Sequence, residues 1–152
     1  MIDHKIVWFT GQPGIGKTTL ATELKSRLEK KSLNVIIVDG DDLRNITTNK
    51  DYSRKGREEN IKTAQKIAKF VFNKNFFTIV SLVAPYRSIR ENFKKDVPVL
   101  EVYLVTSEIR GREHFFASDY QKPNSNFLEI DTGENSIDQC IDIIYDKLNA
   151  ER

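Results

Sequence analysis

Apolar residues follow two rhythms along this chain, and the switch between them divides it into alternating elements. Unbroken apolar runs occur at KIVWFTG (5–11), LNVIIVDGDD (33–42), FFTIVSLVAP (76–85), VLEVYLV (99–105) and FLEIDT (127–132). They predict five strands buried on both faces, because a strand with one wet face alternates polar and apolar positions. Between them the period lengthens to that of a helix. KTTLATELKSRLEKK carries Leu20, Leu24 and Leu28 on one side and ends in basic residues, as a helix C-terminus favours. REENIKTAQKIAKFVFNK places Ile61, Ala64, Ile67, Ala68, Val71 and Phe72 on one face. SIRENFKKD predicts a short helix after a strand stopped by Pro85, and SIDQCIDIIYDKL a final helix capped by Ser136. Residues 42–56 read as loop with a short helical piece, and SEIRGREHFFASDYQKPNSN has no clear period. Strand–helix alternation without repeats or linkers predicts one α/β domain spanning 1–152, a parallel sheet with helices on both faces.

Composition adds little to that picture. The chain has 152 residues, 39% hydrophobic and 30% charged, an ordinary balance for a globular domain. Lys plus Arg at 24 against Asp plus Glu at 22 leaves a formal charge of +2, which supplies no global attraction for nucleic acid. No apolar run approaches the roughly 18 residues of a membrane span. The single cysteine, Cys140, falls on the apolar face of the last helix and is expected to be a packed thiol. With no signal-like segment, it fits a reducing, cytoplasmic setting.

Candidate chemistry gathers at the ends of the first three strands, where open α/β sheets bind ligands. GQPGIGKTT holds the spacing G-x-x-x-x-G-K-T at Gly11, Gly16, Lys17 and Thr18. Between a strand and a helix, such a loop turns backbone N–H groups and a helix N-terminus toward phosphate. Lys17 reaches the β- and γ-phosphates, and the Thr18 hydroxyl is a Mg²⁺ ligand. VDGDDLR then offers Asp39, Asp41 and Asp42, a D-x-D able to organise a metal and an attacking hydroxyl. Gly40 between them is expected to let the backbone approach a substrate. Arg57 and Asn60 lie three apart at a helix start, on one face suited to a polar anion. SLVAPYR ends the third strand with Pro85 fixing a turn and Tyr86 either packing or walling a pocket.

Together, GQPGIGKTTLA, VDGDDLR, YSRKGREENI, SLVAPYR and EIDTGENSIDQC resemble the adenylylsulfate kinase family, in that family's order. The resemblance covers most of the chain outside 106–126. It implies a three-layer P-loop NTPase fold with a five-stranded parallel sheet in the order 2-3-1-4-5. It also implies ATP as donor, Mg²⁺ as cofactor, transfer to the 3′-hydroxyl of adenosine 5′-phosphosulfate, and frequent homodimers. Gly11, Pro13, Gly14, Ile15, Gly16, Lys17, Thr18 and Thr19 fall on the ATP-binding loop. Asp39, Arg44, Tyr52, Arg57, Asn60, Ser81, Val83, Ala84 and Pro85 fall on the acceptor pocket, with Tyr52 replacing the usual phenylalanine. Asp41 falls on the carboxylate beside the transferred phosphoryl group, and Thr18 with Asp41 on the metal.

One region departs from the family. The usual long lid with its D-P-K-G-L-Y segment is compressed here to about 106–126. Arg110 and Arg112 are the candidates for a lid arginine contacting ATP, Phe115 or Phe116 for a lid aromatic, and His114 reads as a surface or packing residue. A short lid predicts poorer exclusion of water and admits other acceptors. Three alternatives therefore stay open: a kinase for another modified nucleotide such as a cytidine diphosphoramidate-type acceptor, a nucleic-acid 5′-hydroxyl kinase, and a nucleotide-binding switch. The charge balance argues against the second, and the intact Lys17, Thr18, Asp39 and Asp41 argue against the third.

Overall fold

A computed structural model of the chain describes residues 2–108, 110–111, 113 and 116–150. Among the described residues the elements run β1 Ile6–Thr10, α1 Lys17–Glu29, β2 Val35–Asp39, α2 Gly40–Thr47, α3 Arg54–Asn73, β3 Phe77–Ser81, α4 Arg87–Asp96, β4 Val99–Val105, β5 Phe127–Asp131 and α5 Ile137–Ala150. The five strands form one parallel sheet in the order β2-β3-β1-β4-β5.

The two faces of the sheet carry separate cores, a consequence of the two-residue side-chain period of a strand. Val7 and Phe9 of β1 pack with Leu20, Leu24 and Leu28 of α1 and with Ile141, Ile144 and Leu148 of α5. Ile6 and Trp8, pointing the other way, pack with Leu43, Ile61, Ala64, Ala68 and Phe93 from α2, α3 and α4. Cys140 is buried in the first core, and burial pushes its thiol upward. Ser136 and Gln139 exchange hydrogen bonds of 3.1 and 2.8 Å that cap the last helix.

The short helical piece expected within 42–56 is α2, but it begins earlier, at Gly40, and leaves β2 without a connecting turn. The cause is Asp39, whose Oδ1 accepts from the Asp41 and Asp42 N–H groups at 2.9 and 3.3 Å and so acts as N-cap. The expected role of Gly40 also changes. A β-carbon there would meet Leu82 Cδ1, so the missing side chain makes room for the protein's own leucine.

The order of strands fixes where a ligand can sit. From β1 the chain crosses to β2 at one edge, returns to β3, and then passes over β1 to β4. The crevice at that reversal, beyond the strand ends, is the natural binding place of such a sheet. In register across it lie Phe9, Ser81 and Asp39. Among the described residues no helix is long and apolar enough to cross a membrane.

Candidate active site

The phosphate loop, residues 11–16, leaves β1 with three glycines at positive φ, Gly11, Gly14 and Gly16. At Gly11 the requirement is spatial as well as conformational, since a β-carbon would lie 2.7 Å from the Leu104 carbonyl oxygen. Lys17 opens α1 and folds back over the loop, its Nζ donating to the carbonyls of Gly11 at 2.9 Å and Gln12 at 2.8 Å. Thr18 and Thr19 are exposed on the first turn, Ile15 is buried, and Pro13 is half-buried. The Ile15 carbonyl is gripped from the far side of the sheet. Thr132 Oγ1 donates to it at 2.8 Å and Arg110 Nη1 at 3.3 Å, while Arg110 Nη2 donates to Thr132 at 3.0 Å and pairs with Glu108. Arg110 therefore lies against the loop, and Arg112, His114 and Phe115 lie outside the described residues. Phe116 is partly exposed.

Asp41 is exposed at the start of α2, where the helix dipole favours its charge. Asp39, beneath it, holds the backbone of that turn through the two bonds already described. No group of three His, Cys, Asp or Glu side chains able to hold a metal occurs among the described residues. A divalent cation here would draw on the Thr18 hydroxyl, a carboxylate and phosphate oxygens, the hard-oxygen donor set that Mg²⁺ prefers.

The acceptor candidates surround the same edge. Ser81 and Asn60 are buried, and Asn60 Oδ1 is buried without a hydrogen-bond partner. A buried, unpaired amide oxygen is a group that a ligand donor would satisfy. Arg57 is half-buried, 3.5 Å from Asp119. Val83 accepts a 2.7 Å bond from Thr10 Oγ1, Ala84 sits at φ 46°, and Pro85 and Tyr86 are buried. Tyr86 packs as well as walls: Arg54 stacks over its ring at 4.3 Å, and burial pushes its phenol up.

Arg44 and Tyr52 are arranged differently from a ready-made pocket wall. Tyr52 is 63% exposed, with the Arg44 guanidinium 3.9 Å above its ring. Arg44 Nη1 donates to the Asn49 and Asp51 carbonyls, each at 3.1 Å, so it organises the 48–53 loop. The two sit together beside that loop as a stacked pair.

Several residues that shape the site carried no motif. Arg90 is 4% exposed and donates to Glu101 at 2.8 Å, to Ala84 at 2.6 Å and to Gln121 at 2.5 Å. Glu101, 1% exposed, also accepts from Lys94 at 2.7 Å. The available signal was a lone carboxylate inside the apolar run VLEVYLV, which a two-sided buried strand tolerates only when paired. The aperiodic stretch 117–122 is equally tied down. Ala117 bonds Gln12, Tyr120 meets Thr10 at 2.8 Å, Gln121 N–H donates to Pro85 at 2.8 Å, and Arg87 Nε donates to Lys122 at 2.7 Å. Long-range polar bonds of this kind have no period, so pattern reading misses them.

Comparison with known proteins identifies the family and the fold. The family model for adenylylsulphate kinase matches residues 3–131. The adenylyl-sulfate kinase of Prochlorococcus marinus is 34% identical, covering 95% of this chain and 84% of its own length. That of Burkholderia ambifaria is 30% identical, covering 94% and 91%. Among solved structures, the Mycobacterium tuberculosis APS kinase in complex with AMPPNP and APS superposes with a TM-score of 0.83 at 25% identity, over 98% of this chain and 99% of that one.

Proposed function

The chain belongs to the adenylylsulphate kinase family, and from that premise we propose that it transfers the γ-phosphoryl group of ATP to the 3′-hydroxyl of adenosine 5′-phosphosulfate. One observation supports the reading: Asp39 and Ser81 lie in one register row with Phe9, two residues before the phosphate loop, and the acceptor candidate Asn60 has a buried, unpartnered side-chain oxygen.

In this reading the loop from Gly11 to Gly16, with Thr19, holds the donor phosphates. Lys17 Nζ leaves the Gly11 and Gln12 carbonyls for the β- and γ-phosphates, exchanging neutral acceptors for charged ones. Arg110, already against Ile15, is placed to contact the nucleotide, and Arg112 shares that assignment. Asp41 accepts the proton of the attacking hydroxyl as the new O–P bond forms and the bond to the leaving ADP oxygen breaks. Asp39 positions Asp41 through the helix cap and faces the acceptor. Thr18 and Asp41 would hold Mg²⁺, which when bound neutralises the phosphate charge. Arg57, Asn60, Ser81, Val83, Ala84 and Pro85 form the acceptor wall, with Arg44 and Tyr52 at its mouth. One domain spanning 1–152, a short lid over 106–126 and a homodimer complete the proposal. A monomer by light scattering would remove the last of these.

ADP release measured with a panel of acceptors tests the reading. Stimulation by adenosine 5′-phosphosulfate, with a 3′-phosphorylated product, is the expected result. Stimulation only by a different modified nucleotide would reassign the acceptor. Tight nucleotide binding with no turnover would make the protein a switch.

A further inference from the structure

Gln12, an unremarked position of the phosphate loop, faces two ways. Its carbonyl accepts from Lys17 Nζ at 2.8 Å. Its side-chain amide is bonded at both ends to one residue of the distant segment: Nε2 donates to the Ala117 carbonyl at 3.0 Å, and Oε1 accepts from the Ala117 N–H at 2.9 Å. Ala117 is buried and begins a stretch that ends on the acceptor wall. There the Gln121 N–H donates to Pro85, the Gln121 side-chain oxygen accepts from the Arg87 N–H at 2.9 Å, and Arg90 donates to both Ala84 and Gln121. Asp119 of the same stretch pairs with Arg57. A continuous series of contacts thus runs from the lysine of the donor loop to the turn that walls the acceptor.

We propose that Gln12 is a positioning residue that carries phosphate occupancy of the donor loop to the acceptor wall through residues 117–122. The inference rests on the kinase reading above only in needing a nucleotide phosphate at the loop. When phosphate draws Lys17 away, the Gln12 carbonyl loses its charged donor, and the loop peptides order around the anion. The doubly bonded amide of Gln12 cannot rotate without breaking both bonds to Ala117. Ordering of its backbone therefore extends to Ala117, and from there to Gln121 and the Pro85–Arg87 turn. A segment already ordered by one ligand resists opening more strongly, without any need for a large displacement.

Amide hydrogen exchange on the full chain, with and without saturating AMPPNP, reads this directly. In the wild type, exchange at Ala117, Gln121 and Arg87 is expected to slow by about fivefold or more on nucleotide binding, the lower end of ordinary site-to-site coupling. In Gln12→Ala, with AMPPNP raised until the variant is saturated, the slowing at Gln121 and Arg87 is expected to fall below about twofold. Gln12→Glu keeps the length and the acceptor but removes the donor to Ala117, and is expected to fall between. It carries the test should the alanine variant not fold. A purely structural role for Gln12 would shift exchange equally with and without nucleotide. No slowing in the wild type, or full slowing in both variants, overturns the inference. The acceptor assay on wild type separates the two readings: slowed exchange without adenosine 5′-phosphosulfate turnover removes that acceptor and leaves the relay standing.

Discussion

Thr10 Oγ1 and Tyr120 Oη lie 2.8 Å apart, joining the last residue of β1 to the irregular stretch before β5. Thr10 spends its own proton on the Val83 carbonyl, so the phenol is the donor of the pair. Tyr120 also stacks on Tyr103, with ring centroids 5.8 Å apart, beneath the Arg90 guanidinium. Through one hydroxyl pair the donor strand, the acceptor wall and the segment above them share a floor.

That floor has a pH signature. Burial pushes the Tyr120 phenol from 10.0 to about 12. A raised tyrosine favours the neutral form in the folded state. Its contribution is therefore complete below about pH 10 and is lost as pH rises toward 12. The loss amounts to roughly 2–3 kcal/mol over that window. Urea unfolding of wild type and Tyr120→Phe across the window should show the difference between them shrinking by that amount. A constant difference would place the phenol in water.

The Arg90–Glu101–Lys94 cluster predicts a large stability effect away from the chemistry. Glu101→Gln leaves a buried guanidinium facing a neutral amide, and loss of one partner of a buried pair costs about 3–5 kcal/mol. Chemical denaturation should show a lower midpoint at unchanged slope. A loss below about 1 kcal/mol would mean that water reaches the pair.

Turnover and binding should separate at Asp41. Asp41→Asn keeps the size and the helix start but cannot take the hydroxyl proton, so kcat is expected to fall by about 10²-fold or more. ATP affinity should change far less. Near wild-type turnover would remove Asp41 from the proton-accepting role.

Lys17→Met tests the other half of the site. Removing a charge aimed at the transferred phosphoryl group is expected to lower kcat/KM by about 10²–10³-fold. The fold should survive, because the Lys17 bonds to the Gly11 and Gln12 carbonyls lie within the loop and join no two elements of the sheet. Circular dichroism with single-turnover kinetics distinguishes a lost charge from a lost loop.

Arg44→Lys probes the stacked pair at the mouth. A lysine cannot reproduce the planar stack on Tyr52 together with the bonds to Asn49 and Asp51. A loss of about 1 kcal/mol in stability and a rise in the acceptor KM, with the ATP KM unchanged, are expected. Equal shifts in both KM values would point to a collapsed loop instead.

The sequence by itself determined the layered α/β fold, the phosphate loop and the family, because each rests on local periodicity or on glycine spacing in one stretch of chain. Five apolar runs and their intervening helices could only pack as a sheet covered on both faces. The D-G-D turn was legible too, though not that Asp39 caps a helix, since capping depends on where β2 ends in space. Tertiary structure alone decided the rest. Gln12 on Ala117, Thr10 under Tyr120 and Arg90 across Ala84 and Gln121 join residues far apart in the chain through single polar atoms. Such contacts leave no period and no motif. They exist because the strand order sets the ends of β1, β3 and β4 side by side, and buried polar groups there must find partners.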